Sequence, residues 1–255
     1  MRFCLAILLL LASSNCSTPR VEPDVLKVDS KIEPTSDGLL ITKYIISSKG
    51  NGLKENLLEF GSALSDGSLV EGLETEGLQV RRIDTIDIPA IVASVGTVRS
   101  HSFVWHGQIL KWRDVVQRQI PNSGLLISES GRSHFVDSGF ISLLARSWLV
   151  QRENDLFVYL QLLPTWHVPK VGGIVLGQGS VAKQSTLFSN IEIEVLLSDG
   201  EALVVASELS VVGSSNGPQI EGPPPVRLGE ALLGGDVDGG NVVLLVVEAN
   251  ILSRE

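Results

Sequence analysis

Residues 191–207 read IEIEVLLSDGEALVVAS, and the reading of this stretch decides the fold. Ile191, Ile193, Val195 and Leu197 alternate with Glu192 and Glu194, the period-2 pattern of a strand with one wet face. Asp199 and Gly200 follow, and Ala202 to Ser207 returns as a second apolar run. Asp-Gly between two strands is the signature of a type I′ turn, which takes positive φ at both central residues. The spacing predicts an antiparallel hairpin with Asp199 and Gly200 as its structural turn, and with Glu192 and Glu194 on one face toward water.

Working outward, the same β character holds for most of the second half. Phe140 to Gln151 and Leu156 to Leu163 are long apolar runs joined by the polar turn Arg152 to Asp155. Val212 to Pro225 is rich in Gly, Pro and Ser and reads as a loop, and Asn241 to Leu252 is a final apolar strand. Toward the N-terminus the pattern changes. Leu39 to Ser47 is β-branched and extended, whereas the leucines between Leu53 and Glu76 recur at helical spacing, broken by Gly61, Gly67 and Gly72, and predict one or two short helices. Gly77 stops them. Leu78 to Asp84 is a strand, and Ile86 to Val95 a helix with Pro89 in its first turn and Gly96 after its end. Ser102 to Leu110 and Gly124 to Ser128 read as extended, while Trp112 to Gln119 fits helix and strand equally.

The expected fold class is therefore α+β: a small N-terminal α/β unit at 38–122, then a predominantly antiparallel β half at 123–255. The composition shift at Asn122 to Ser123 marks the boundary. Residues 17–37, with Pro19, Pro23 and Pro34 among alternating charges, predict a linker.

Met1 and Arg2, the ten apolar residues Phe3 to Ala12, and the small or polar Ser13 to Asn15 have the layout of a secretory signal peptide. Ten residues at about 1.5 Å rise do not cross a bilayer core of roughly 30 Å, and no other segment reaches about 18 uninterrupted apolar residues. Two processing outcomes compete. Ala12 and Ser14 suit cleavage before Asn15. Alternatively, Cys16 closes a stretch, residues 1–16, that resembles a bacterial lipobox, and the polar tail after it suits a lipid-anchored tether. Either cut removes Cys4, so an intrachain disulfide is not expected.

The 255 residues carry a formal charge of −9, with 44% apolar and 5% aromatic residues. Phosphate backbones attract cationic faces, and single strands need stacking platforms, so nucleic acid is not an expected partner. A mean hydropathy of +0.25 argues for a packed core rather than a solvated coil. Catalytic and ligand motifs are sparse. Gly177 to Ala182 has the glycine spacing of a dinucleotide loop, but no helical stripe follows to meet a pyrophosphate. Asp236, Asp238 and Asn241 begin like a calcium loop, yet the twelfth place is Val247 and not a carboxylate. His101, His106, His134 and His167 do not match a compact metal spacing, and no Gly-x-Ser-x-Gly elbow occurs. Trp105, Trp112, Trp148 and Trp166 are candidates either for a binding groove or for the core. No catalytic residue, metal or cofactor is expected from this set.

Residues from about 140 to 252 resemble the C-terminal core of the bacterial secretin family. Phe157 to Pro164 (FVYLQLLP) is similar to the family's strand ending in proline, and Ile191 to Ser207 to its strand, turn and strand. Pro225 to Leu252, with Leu228-Gly229 and Val242 to Leu252, is similar to its closing segment. Ala206-Ser207 stands where the family has Gly-Gly. The resemblance implies a β-rich envelope module capable of self-association. The expected function is a non-enzymatic exported cell-envelope protein, lipid-anchored in the periplasm or outer membrane. Its partners would be envelope proteins or further copies of itself, and open strand edges, the terminal strand among them, would do the assembling. Two other readings stay open: an exported small-molecule or glycan binding module using the tryptophans and the glycine loop at 172–179, and a hydrolase with a non-contiguous site.

Overall fold

A strand that is apolar on both faces needs cover on both sides, and two of the strands here have it. The computed structural model describes residues 36–47, 53–64, 67–129, 131–168, 185–208, 225–234 and 241–252, all within one compact unit, Pro34–Glu255. The chain is an α+β protein built mostly of antiparallel sheet with few helices.

The first sheet runs in the order β2 (Leu78–Asp84), β11 (Glu201–Ser207), β13 (Asn241–Asn250), β1 (Gly38–Ser47) and β3 (Thr97–Gly107), with every neighbouring pair antiparallel. The second sheet runs β10 (Ile193–Leu197), β8 (Asp155–His167), β7 (Gly139–Arg152) and β4 (Ile109–Ile120), and the short β9 (Ser185–Leu187) also pairs with β8. A small third sheet holds β12 (Val226–Arg227), β5 (Leu125–Glu129) and β6 (Arg132–Val136), with β12 parallel to β5.

Two cores lie on either side of the first sheet. Leu203, Val205, Leu245 and Val247 share one core with Ala145, Leu160 and Leu162 of the second sheet and with Leu232 of α4 (Leu228–Leu233). Val204, Ala206, Leu244 and Val246 share the other with Leu57 of α1 (Leu53–Leu58) and with Ile88, Ile91 and Val95 of α3 (Ile88–Val95). Alternate residues of β11 and β13 therefore point into different cores, which is why both read as unbroken apolar runs. Each fully buried Leu or Val contributes roughly 1.5–3 kcal/mol of transfer free energy.

Several local readings coincide with the elements found. β1, β2 and α3 lie within two residues of their sequence boundaries, and Pro89 occupies the first turn of α3. The leucine-rich stretch after β1 forms α1 and α2 (Gly67–Thr75), and Gly77 beyond them takes φ +76°. β7 and β8 pair along their whole length through the turn at 153–154.

Three expectations need correction. Residues 191–207 are not a hairpin: β10 pairs with β8 in the second sheet, whereas β11 pairs with β2 and β13 in the first. The turn at Asp199 and Gly200 is real, closed by Glu201 N–H donating to Ser198 O at 3.1 Å, but it carries the chain from one sheet to the other. Only Gly200 has positive φ (+78°), so it is not the type I′ turn that a two-stranded ribbon prefers. The boundary at 122–123 does not separate two bodies either. The first sheet takes β1, β2 and β3 from one side of it and β11 and β13 from the other. Residues 112–119, ambiguous in sequence, belong to strand β4.

The terminal segment is locked by its neighbours. Asp199 Oδ1 accepts from Ile251 N at 2.9 Å, and Asp37 Oδ1 accepts from Leu252 N at 2.8 Å. Arg118 Nη1 donates to the carbonyls of Glu230 (2.9 Å) and Gly234 (2.8 Å), placing a cation at the C-terminal end of α4. At the start of α4, Gly229 N–H donates to Glu76 O at 2.8 Å, so closely that a Cβ at 229 would stand 2.5 Å from the Gly77 oxygen. A Cβ at Gly200 would meet no atom within 4 Å.

The two glycines should separate in a stability assay. Gly200→Ala, strained only by its φ, should lose about 1 kcal/mol. Gly229→Ala, which must push backbone apart, should lose about 2–3 kcal/mol. Urea midpoints on the two variants measure this, and equal losses would mean that α4 is not held against Gly77 as described.

Candidate functional site

The outward face of the second sheet carries side chains in register across its strands. The turn at 153–154 fixes the pairing of β7 with β8, so Arg146 stands opposite Gln161, and Trp148 opposite Tyr159. Gln161 in turn stands opposite Glu194 of β10. Arg146 Nε donates to Gln161 Oε1 at 2.5 Å, and Gln161 Nε2 donates to Glu194 Oε1 at 2.6 Å. A cation, an amide and an anion are thus linked across three strands. The Arg146 guanidinium lies 4.8 Å from the ring centroid of Trp112 on β4 and 5.3 Å from that of Trp148. Contacts of this kind contribute about 0.5–1 kcal/mol each near a surface. Trp148 packs on Tyr159 with centroids 4.7 Å apart.

Burial of the Tyr159 phenol, with Glu194 beside it accepting a hydrogen bond from its O–H and repelling a second negative charge, pushes its pKa up to about 12. The Glu194 carboxylate is therefore engaged by two donors. The row offers aromatic faces and fixed charges for contact.

Next to the row lies a cleft of about 440 Å³, walled by Leu64, Leu69, Phe157 and Tyr159 and edged by Arg82 and Arg152. A second cleft of about 370 Å³ opens where β1 and β3 splay from β4, with Lys43 and Arg118 on its wall. Arg118 is occupied there by the α4 carbonyls.

The free sheet edges form the other candidate surface. On one side of the molecule the edges are plugged. Ser62 exchanges two backbone hydrogen bonds with Arg82 along β2, and Arg82 Nη2 donates to Leu196 O on β10 at 2.7 Å. On the other side β3 and β4, joined through Gln108 alone, are among the described residues the edge strands of their two sheets. β4 is interrupted by two register shifts and carries Lys111, Arg113 and Asp114, devices that discourage pairing. β3 runs regularly from Ser100 to Trp105 between two shifts, and it exposes 36% of Phe103 and 49% of Val104. Tyr44, His101 and Phe103 stack along it, with centroids 6.0 and 6.3 Å apart.

The residues singled out in the sequence are distributed as follows. Asp199 and Gly200 make the inter-sheet turn. Trp112 and Trp148 converge on Arg146, whereas Trp105 lies on β3 and Trp166 packs against the larger core. The terminal strand, expected as an assembling edge, is central in the first sheet, between β11 and β1, and is not free. The histidines do not converge. His101 and His106 lie on β3, His134 on β6 is 3.7 Å from Glu129, and His167 stacks on Phe140 at 5.8 Å. Burial, and then the nearby Arg113, lower the pKa of His106. Among the described residues no three His, Cys, Asp or Glu side chains gather as a metal site, and no helix is long and apolar enough to cross a membrane. Cys16, the glycine loop at 172–182 and the calcium-like start at 236–240 lie outside the described residues. Arg146, Gln161 and Tyr159 were missed in the sequence. Their signal was available in the 153–154 turn, which places 146 opposite 161 and 148 opposite 159.

Compared with protein-family models, curated proteins and solved structures, the chain matches none.

The raised Tyr159 pKa has a definite sign for stability. Between pH 10, the ordinary tyrosine value, and about 12, the unfolded chain has lost the phenolic proton and the folded one keeps it, so stability falls as pH rises across that window. Tyr159→Phe should remove this part of the alkaline slope. Denaturant midpoints from pH 9 to 12 check it, and an unchanged slope would mean that neither burial nor Glu194 raises the phenol's pKa as described.

Proposed function

We propose that this chain is a non-enzymatic exported cell-envelope protein, lipid-anchored through Cys16 in the periplasm or outer membrane. In this reading it works by binding envelope proteins or its own copies along a sheet edge. The observation that carries the reading is the asymmetry of the edges: the β2–β10 side is plugged, while β3 is exposed and keeps an unshifted run from Ser100 to Trp105. Natural sheets blunt edges that must stay single, and an unblunted edge is a template for strand addition. The signal-like N-terminus and the secretin-like stretch at 140–252 supply the compartment and the assembling role.

Expression in a bacterial host with its own signal, fed labelled palmitate, tests the anchor. The chain should take up label and fractionate with the envelope, and Cys16→Ser should abolish the labelling. An unlabelled chain left in the cytosol would overturn the reading. A photo-crosslinker at Ser102 should give adducts in the envelope, while one at Ser133 on β6 should not.

A second reading, an exported module for a glycan or small molecule, is favoured by one observation: Trp148 packs on Tyr159, which with Phe157 lines the 440 Å³ cleft. Under it, a panel of oligosaccharides and small organic anions should contain a compound that raises Tm, with Trp148→Ala removing the rise. A panel that leaves Tm unmoved argues against this reading.

A further inference from the structure

We infer that β3 pairs antiparallel with β3 of a second copy of this chain, across a two-fold axis at Ser102 or Phe103. The inference rests on the contact reading above and names its partner.

The regular stretch Ser100 to Trp105 limits the register, because the shifts on either side of it break the ladder. A two-fold axis perpendicular to the sheet must keep each side chain on its own face, so only axes passing a residue position are allowed. Two such axes centre the pairing within this stretch. With the axis at Ser102, His101 lies opposite Phe103, Ser100 opposite Val104 and Arg99 opposite Trp105. With the axis at Phe103, the two Phe103 rings meet, His101 lies opposite Trp105 and Val104 opposite Ser102.

Both registers are chemically self-complementary. Arg99 is the one permanent charge on β3, and neither register sets it against its own copy. Like charges directly opposite destabilise a ladder, whereas aromatic pairs across strands stabilise it. The Tyr44, His101 and Phe103 stack would continue into the second copy on one face. Val104, half exposed in the single chain, would be covered on the other. β4, with Lys111, Arg113 and Asp114 on it and a shorter unshifted run from Val116 to Ile120, is less suited to the same role. The symmetric contact is isologous and closes at two copies, so it yields a dimer and not a filament.

Sedimentation equilibrium on protein expressed with its own signal and purified from the host tests the pairing, with and without Ser102→Lys. Ser102 is exposed but stands opposite Lys43 of β1, so the lysine sets two like charges across that pair, and urea midpoints of the two proteins measure what this costs the fold. Opposed to its own copy or to Val104, the lysine should weaken the dimer by at least about tenfold. Should Ser102→Lys fail to fold, Val104→Lys is the second variant, opposite Ser100 or Ser102. A monomer at every concentration overturns the inference, and so does a dimer indifferent to lysine in β3. These failures are distinct from failure of the envelope reading. A monomer that takes palmitate label and fractionates with the envelope overturns the dimer alone, whereas a lysine-sensitive dimer in a chain that is not exported overturns the compartment alone.

Discussion

Leu203 and Val204 are neighbours in the chain, yet one packs toward the second sheet and the other toward α1 and α3; Leu245 and Val246 of β13 do the same. The central strands of the first sheet thus have no wet face, and this requirement organises the rest. A two-faced sheet must be covered by something on each side. The helices that follow β1 and β2 cover one side, and the long β7–β8 pair with β4, β10 and α4 covers the other. Residues before 122 cannot make this sheet alone, because its centre is β11 and β13. Residues after 123 cannot cover both faces alone, because α1 and α3 precede them. Residues Pro34–Glu255 form one unit for that reason.

The same requirement explains which parts of the fold were legible. Elements defined by local chemistry were: β1 and β2 by their β-branched runs, α3 by Pro89 and Gly96, and the β7–β8 pair by a polar turn between two apolar runs. The hairpin at 191–207 was misread because Asp-Gly outweighed a second signal in the same stretch. Before the turn, glutamates alternate with apolar residues; after it, Ala202 to Ala206 are apolar without interruption. Two strands in one half-wet ribbon would share a period. A change of period across the turn means a change of environment, here from a strand with one exposed face to a central strand covered on both.

The candidate surfaces were less legible, for different reasons. The Arg146 row depends on cross-strand register, and single positions such as Gln161 and Tyr159 carry no motif. Pairing them requires the turn at 153–154 to be followed strand by strand. Asp199 was read for its backbone conformation, whereas its side chain matters as much, since the carboxylate holds the Ile251 N–H where β13 ends. The open edge was read onto the wrong strand. A terminal strand has no later strand to pair with in sequence, but it can still be enclosed by earlier ones, and β13 sits between β11 and β1.

The edges themselves show how contact and closure divide the molecule. The turn at 198–201 brings β10 beside the first sheet's β2 and β11, and there Arg82 donates across to Leu196 O while Ser62 pairs with the Arg82 backbone. Each of those bonds satisfies a polar group that a further strand would otherwise need. On the opposite side the crossing between sheets is Gln108, whose Oε1 accepts from Leu149 N at 3.3 Å, and among the described residues no comparable bond crosses the outer side of β3. Both edge strands carry two register shifts, but the chain places Lys111, Arg113 and Asp114 on β4 and leaves β3 short of charge and carrying aromatics. An edge strand of that composition is unfavourable in isolation, because it exposes apolar surface and unpaired peptide groups together. It becomes favourable once another strand covers it, so the edge that closure neglects is the one on which a contact gains most.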